Sequence, residues 1–227
     1  MDLKNKVIVI TGGSKGLGEA LATIFCKEEA KVIISARSKK ELTSVSKKIN
    51  VLTFVGDVTK EADLKKLGNF AIKKYGKIDI WINNAGITTP RSLIEDINIK
   101  RAHEVMEVNF FGTLFGSRVA MKIMKKQKSG TIINIISKGS LVGRPLSALY
   151  SSTKWAVRGF TLSLRLALEP NHISVLAVHP GGIKTTIFGK NKPDGYKDWM
   201  EAAYVAEKII KNLKNKKPKE ELTIWPR

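Results

Sequence analysis

Apolar residues gather along this chain in short, nearly unbroken runs: KVIVIT (6–11), KVIIS (31–35), VLTFV (51–55), IDIWIN (78–83), TIINIIS (131–137), ISVLAVH (173–179) and LTIW (222–225). A strand wetted on one face alternates apolar with polar residues, so runs without alternation predict strands covered on both faces, the condition of a parallel sheet. The intervals between the runs are long enough for the crossover helices that parallel neighbours require. The economical architecture is α/β, one doubly wound parallel sheet of about seven strands with helices on both faces.

No internal repeat or low-complexity linker interrupts this pattern, and 227 residues, 43% of them hydrophobic, suffice for one sizeable core. We therefore expect one domain spanning 1–227. The irregular GGIKTTIFGKNKPDGYKDWM (181–200) follows the sixth run. Ligands bind at the carboxyl edge of such sheets, which makes this segment the expected substrate-binding loop. From 155 to 168, Trp155, Phe160, Leu162, Leu164, Leu166 and Leu168 make a helix apolar nearly all round, with Arg158 and Arg165 as a narrow polar stripe. Such a helix is expected to be buried on more than one side, against the sheet and against a second subunit. A homodimer is the expected assembly, with a tetramer left open.

Charge changes the picture less than its size suggests. Forty Lys and Arg against twenty Asp and Glu give +20, enough to attract nucleic acid or an anionic membrane. The cations are mostly lysines spread through helical stretches such as KKELTSVSKK and KKLGNFAIKKYGK, and densest in KIIKNLKNKKPK. No zinc-finger pattern or aromatic-rich basic strand accompanies them, so we read solvated surface charge and no nucleic-acid partner. No apolar run reaches the ~18 residues of a membrane span. MDLKNKVIVITGG enters its first short strand without a signal-peptide pattern. A soluble, cytoplasmic protein with no membrane partner is expected. The single Cys26, in LATIFCKEEA, reads as a small core residue, and His103, His172 and His179 are too scattered for a metal site.

Chemistry enters at two places. TGGSKGLG (11–18) joins the first strand to a helical stretch. Glycines at such a turn let backbone approach a phosphate, and the helix N-terminus offers unpaired N–H groups and a favourable dipole. SALYSSTK (147–154) then sets Tyr150 and Lys154 one helical turn apart on the same face. By itself such a pair is usually an ordinary surface contact. A phenol with a pKa near 10 is a reluctant acid and a poor base, and a neighbouring ammonium makes its phenolate more accessible.

The spacing of Gly12, Gly16 and Gly18 resembles the TGxxxGxG turn of the short-chain dehydrogenase/reductase family, and further motifs follow in order. DV at 57–58 resembles the family's adenine-contacting pair, NNAG (83–86) its nicotinamide-side turn, and VNFFGT the helix bearing its active-site asparagine, here Asn109. Ser137 ends IINIIS, YSSTK supplies YxxxK, and HPGGIKT (179–185) resembles the motif after the sixth strand. The resemblance covers nearly the whole chain and implies a Rossmann-like fold and hydride transfer between a nicotinamide cofactor and a carbonyl or alcohol. It implies Asn109, Ser137, Tyr150 and Lys154 as the reacting set. Tyr150 would give a proton to the substrate oxygen, Ser137 would hydrogen-bond that oxygen, Lys154 would also hold the ribose, and Asn109 would hold a relay water. Asn109 taken alone fits better a helix irregularity whose side chain bonds backbone, and the relay reading rests on its company with Ser137, Tyr150 and Lys154. For the cofactor the resemblance implies Gly12, Ser14, Lys15, Gly16, Leu17, Gly18, Asp57, Val58, Asn84, Ala85, Gly86, Tyr150, Lys154, Pro180, Gly181, Ile183 and Thr185. The glycine-rich tail with which many members end is missing after EELTIWPR.

Cofactor choice is read from KVIISARSKKEL, which has no Asp or Glu between 31 and 40 and carries Arg37 and Ser38 beyond the strand. An acid there holds a free ribose 2′-hydroxyl, whereas cations suit a 2′-phosphate. With Lys15 in the glycine turn, NADP(H) is the expected cofactor. The expectation is an NADP-dependent oxidoreductase acting on a small-molecule carbonyl or alcohol. The alternatives are an idle NADP-binding sensor on the same fold and, more remotely, a basic nucleic-acid-binding protein.

Overall fold

A computed structural model describes residues 1–189, 192–193 and 195–225. The chain alternates strand and helix from its start: β1 (Val7–Thr11), α1 (Gly16–Lys27), β2 (Lys31–Ala36), α2 (Lys39–Ser46), β3 (Leu52–Val55), α3 (Glu61–Tyr75) and β4 (Ile80–Asn83). Next come α4 (Ile99–Met106), a π-helical turn at Glu107–Phe111, α5 (Gly112–Gln127), β5 (Gly130–Ile135), α6 (Ala148–Leu168) and β6 (Ile173–Pro180). A small parallel ribbon of β7 (Ile183–Lys184) and β8 (Met200–Glu201), then α7 (Ala202–Lys214) and β9 (Glu221–Ile224), complete it.

Seven strands form one sheet in the order β3-β2-β1-β4-β5-β6-β9, each neighbouring pair parallel. The doubly wound sheet expected from the sequence is thus present. Strand β1 shows why its run does not alternate. Ile8 and Ile10 enter a core shared with Leu21 and Phe25 of α1 and Ile209 of α7, while Val9 enters one shared with Leu67 of α3, Ala120 of α5 and Leu164 of α6. Both faces are dry, so both sets of positions are apolar.

Element edges move where polar groups intervene. Strand β4 begins at Ile80 because Asp79 turns its carboxylate to the N–H of Val7, at 2.8 Å. Strand β5 stops at Ile135, which frees Ser137 to leave the sheet. Helix α6 meets the sheet with one flank only. Val157, Thr161, Leu164 and Leu168 are buried, but Trp155, Leu162 and Leu166 remain 46, 40 and 71% exposed, so the helix is covered on one side. Cys26 is half-buried and not fully in the core. Phe25 takes the interior, and burial raises the pKa of the thiol.

Candidate active site

The order in which strands are added reverses between β1 and β4: β1 leads to β2 on one side, β4 to β5 on the other. Loops leaving the carboxyl ends of these two strands diverge and open a crevice. Its floor is the glycine turn. Gly12 and Gly16 sit at φ 65° and 57°, a region that costs other residues strain. A side chain at Gly12 would stand 2.8 Å from Ala85 Cα, and one at Gly18 would collide with the Gly12 carbonyl. Gly18 therefore serves close packing of α1 and lies outside the cleft wall, whereas Gly12, Ser14, Lys15, Gly16 and Leu17 line it. Asn84 locks the turn to β4, its Nδ2 donating to the carbonyls of Thr11 and Gly12 at 3.0 Å each. Thr11 Oγ1 in turn accepts from the N–H groups of Asn84 and Ala85. Lys15 is the N-cap of α1 and offers no side-chain cap, so the first N–H groups of a twelve-residue helix face the cleft.

The opposite wall comes from β5 and α6. Tyr150 lies in the first turn of α6 and Lys154 one turn later, both lining the cleft. Lys154 is 5% exposed and its Nζ donates to the Ile135 carbonyl at 3.2 Å. Burial lowers its pKa to about 8. Burial acts oppositely on Tyr150 and raises its phenol, while a hydrogen bond with Ser137 and the charge of Arg144 pull it down. The Lys154 nitrogen sits 5.7 Å from the centre of the Tyr150 ring. Gly139 N–H donates to Ser137 Oγ at 3.0 Å and fixes the serine as cap of a short turn. Asn109 is fully buried in the π-helical turn, behind the cleft. Its Oδ1 accepts from Ile87 N–H at 2.9 Å and its Nδ2 donates to Ile87 O and Thr153 Oγ1, so its side chain holds backbone beside Gly86. Thr153 Oγ1 donates to the Tyr150 carbonyl at 2.8 Å and ties Asn109 to the helix of Tyr150.

Two buried polar chains hold this wall. Trp81 Nε1 donates to Asn83 Oδ1, Asn83 Nδ2 to Asn134 Oδ1 and Asn134 Nδ2 to Thr161 Oγ1, at 2.8 to 2.9 Å, which pins α6 to β4 and β5. Each link left unpaired in so dry a place would cost about 1–3 kcal/mol. His179, fully buried on β6, bridges Glu221 of β9 at 2.7 Å and Ser140 at 2.9 Å, and Ser140 Oγ donates to the Ser137 carbonyl at 2.7 Å. Neither chain was legible in the sequence, where these residues are lone polar letters in apolar runs.

At the far end lie Arg37, Ser38, Asp57 and Val58. Asp57 turns its Oδ1 back to Thr59, accepting from N–H and Oγ1. The stretch 31–40 holds no acid, but the fold brings in one from just beyond it. Glu41, one residue past the stretch that held no acid, reaches Ser14 Oγ at 2.8 Å and Lys15 Nζ at 3.3 Å, and Ser14 and the cations lower its pKa. The SKKE pattern, a Ser cap with Glu three positions on, was the available signal.

Between the ends the cleft encloses about 1170 Å³, and Pro180, Gly181, Ile183 and Thr185 also line it. Much of the 181–200 segment is clamped here. Trp199 packs against Gly182, Tyr196 Oη donates to the Thr185 carbonyl at 3.0 Å, and Met200 N–H donates to Gly182 O at 3.0 Å. Residues 190, 191 and 194 lie outside the described residues. An open backbone cradle, a free helix N-terminus and a buried ammonium along one long cleft fit a dinucleotide.

Comparison with known proteins agrees. Residues 6–195 match the short chain dehydrogenase family. An uncharacterized oxidoreductase of Staphylococcus saprophyticus is 36% identical over 191 residues, 82% of this chain and 77% of the relative. Among solved structures, a 3-ketoacyl-(acyl-carrier-protein) reductase from Brucella melitensis complexed with NADH is similar with a TM-score of 0.91 at 28% identity, covering 98% of this chain and 97% of that one. A short chain dehydrogenase from Burkholderia cenocepacia in complex with NADP has a TM-score of 0.86 at 27% identity, covering 99% and 90%. With the match spanning the glycine turn, the Tyr150–Lys154 helix and every strand of the large sheet but β9, the chain belongs to the short-chain dehydrogenase family of oxidoreductases.

Proposed function

We propose that this chain is a cytoplasmic, NADP-dependent reductase that interconverts a carbonyl and an alcohol, folded as one domain over 1–227, with 181–200 as the substrate-side cover. The observation that carries the proposal is the meeting of Ser137, Tyr150 and the buried Lys154 on one wall of a cleft whose floor is the glycine turn. A nicotinamide dinucleotide held along this cleft would supply the hydride. Tyr150 donates its proton to the oxygen that gains charge, and Ser137 hydrogen-bonds the same oxygen. Lys154 favours the phenolate left behind and holds the ribose. Asn109 positions Ile87 and Gly86 beside Lys154 and, through Ile87 O, can seat a relay water. Lys15, Arg37, Ser14 and Ser38 take the 2′-phosphate, with support from relatives named as NADP complexes.

A panel of ketones, aldehydes, quinones and acyl-linked carbonyls, read by NADPH oxidation, tests this directly. Turnover of one class is expected. Tight NADPH binding with no turnover of any class would instead mark an idle sensor. The exposed stripe of Trp155, Leu162 and Leu166 supports a symmetric dimer in which α6 meets its twin. Light scattering at micromolar protein and moderate salt should then give twice the 25.1 kDa chain mass. A species at the chain mass would remove the dimer from the proposal.

A further inference from the structure

Glu41 has an unusual destination. It stands in the first turn of α2, whose cap is Ser38, and its own N–H donates to Ser38 Oγ at 3.2 Å. A glutamate at this position commonly folds back onto the cap residue's N–H. Here the carboxylate crosses to the glycine turn, Oε2 accepting from Ser14 Oγ at 2.8 Å and Oε1 pairing with Lys15 at 3.3 Å, within electrostatic reach of Arg37. These are the groups that the proposed function assigns to the 2′-phosphate. Ser14 has one hydroxyl proton, and a phosphate carrying nearly two charges cannot share these donors with a carboxylate at hydrogen-bond distance.

We propose that Glu41 is a specificity-determining residue of the cofactor site. Its carboxylate competes with a 2′-phosphate for Ser14 and Lys15, and it accepts a hydrogen bond from a free 2′-hydroxyl. A dinucleotide with the hydroxyl binds with Glu41 in place. One with the phosphate displaces it and gains Lys15, Ser14 and Arg37 in exchange. The chain's preference for the phosphorylated dinucleotide is therefore narrower than Lys15, Ser14 and Arg37 alone would give. The preference stays narrow because every phosphorylated ligand must first break the Glu41 contacts. The side chains of Lys15 and Glu41 keep 56 and 42% of their surface in water, so their pair is weak and the exchange is reversible.

This inference rests on the cofactor reading above, and binding measurements separate the two. Dissociation constants of NADPH, NADH, adenosine 2′,5′-bisphosphate and 5′-AMP are measured by calorimetry on the unaltered protein and on Glu41→Gln and Glu41→Ala. Glu41 is partly exposed at a helix end, so neither variant threatens the fold. Removing the charge in Glu41→Gln should tighten NADPH and the bisphosphate by roughly three- to tenfold, while NADH and 5′-AMP stay within about twofold because the amide oxygen still accepts. Glu41→Ala should tighten the phosphorylated pair similarly and weaken NADH and 5′-AMP. If the unaltered protein binds the dinucleotides but neither variant changes the ratio, or if Glu41→Gln weakens NADPH, the inference fails and the cofactor reading stands. Failure of the unaltered protein to bind either dinucleotide overturns both.

Discussion

The two ends of the cleft are built on different principles. At the reacting end, Lys154 is 5% exposed and its helix is pinned by buried bonds from Trp81 through Asn83 and Asn134 to Thr161. At the adenosine end, Lys15, Arg37 and Glu41 stand at the rim in reach of water. Burial moves a proton equilibrium by whole units, as the fall of Lys154 to about 8 illustrates, whereas rim charges exchange partners for about 1 kcal/mol or less. The reacting end is therefore set by packing and speaks to rate. The adenosine end is set by charge, speaks to affinity, and can be retuned by one substitution.

Breaking the buried end should give the largest effect. Lys154→Met removes the ammonium while keeping the volume, and turnover should fall by roughly 10²- to 10³-fold, the range for losing one preorganised electrostatic partner. Steady-state kinetics checks this, and a loss under tenfold would mean that the ammonium is dispensable. At the adenosine end, Arg37→Asp should weaken NADPH by roughly ten- to a hundredfold and NADH by under threefold, as expected for one charge-assisted bond replaced by repulsion. Equal losses would show that Arg37 does not meet the 2′ position.

A pH series sharpens the contrast. Lys154 is protonated below about 8 and neutral above it, so turnover should hold on the acid side and decline as pH rises through that value, with the decline absent in Lys154→Met. The depressed pKa also means that the unfolded chain binds the extra proton between about 8 and 10.5, so the protein gains stability from this group as pH rises across that window. The smallest effect belongs to Arg144, whose charge is the weakest of the influences on the Tyr150 phenol and pulls it down. Arg144→Gln should raise the phenol further, by the smallest of the three influences on it, and cost less than about fivefold in rate, read by steady-state kinetics.

The same contrast explains what could be read from sequence. The strands were legible because apolar runs such as VIVIT admit no wet face, and Tyr150 and Lys154 because helical spacing fixes their side. Glu41 was not, since its position on α2 says nothing of a side chain that crosses to another loop. Nor did the composition of 155–168 reveal which flank the sheet would take. The sheet took Val157, Thr161, Leu164 and Leu168, and left Trp155, Leu162 and Leu166 outside. The pairing of His179 with Glu221 depends on β9 lying beside β6, a neighbourhood that only the folded sheet creates.

The central claim is that a positioned phenol, and not the cleft alone, moves the proton. Tyr150→Phe deletes one oxygen and leaves the Asn134–Thr161 chain and Lys154 in place. NADPH titration and single-turnover reduction of the best carbonyl from the panel should be measured on this variant and on the unaltered protein together. The account predicts NADPH affinity unchanged within about threefold and a reduction rate lower by roughly 10²- to 10⁴-fold. Near-normal reduction by the variant would contradict it.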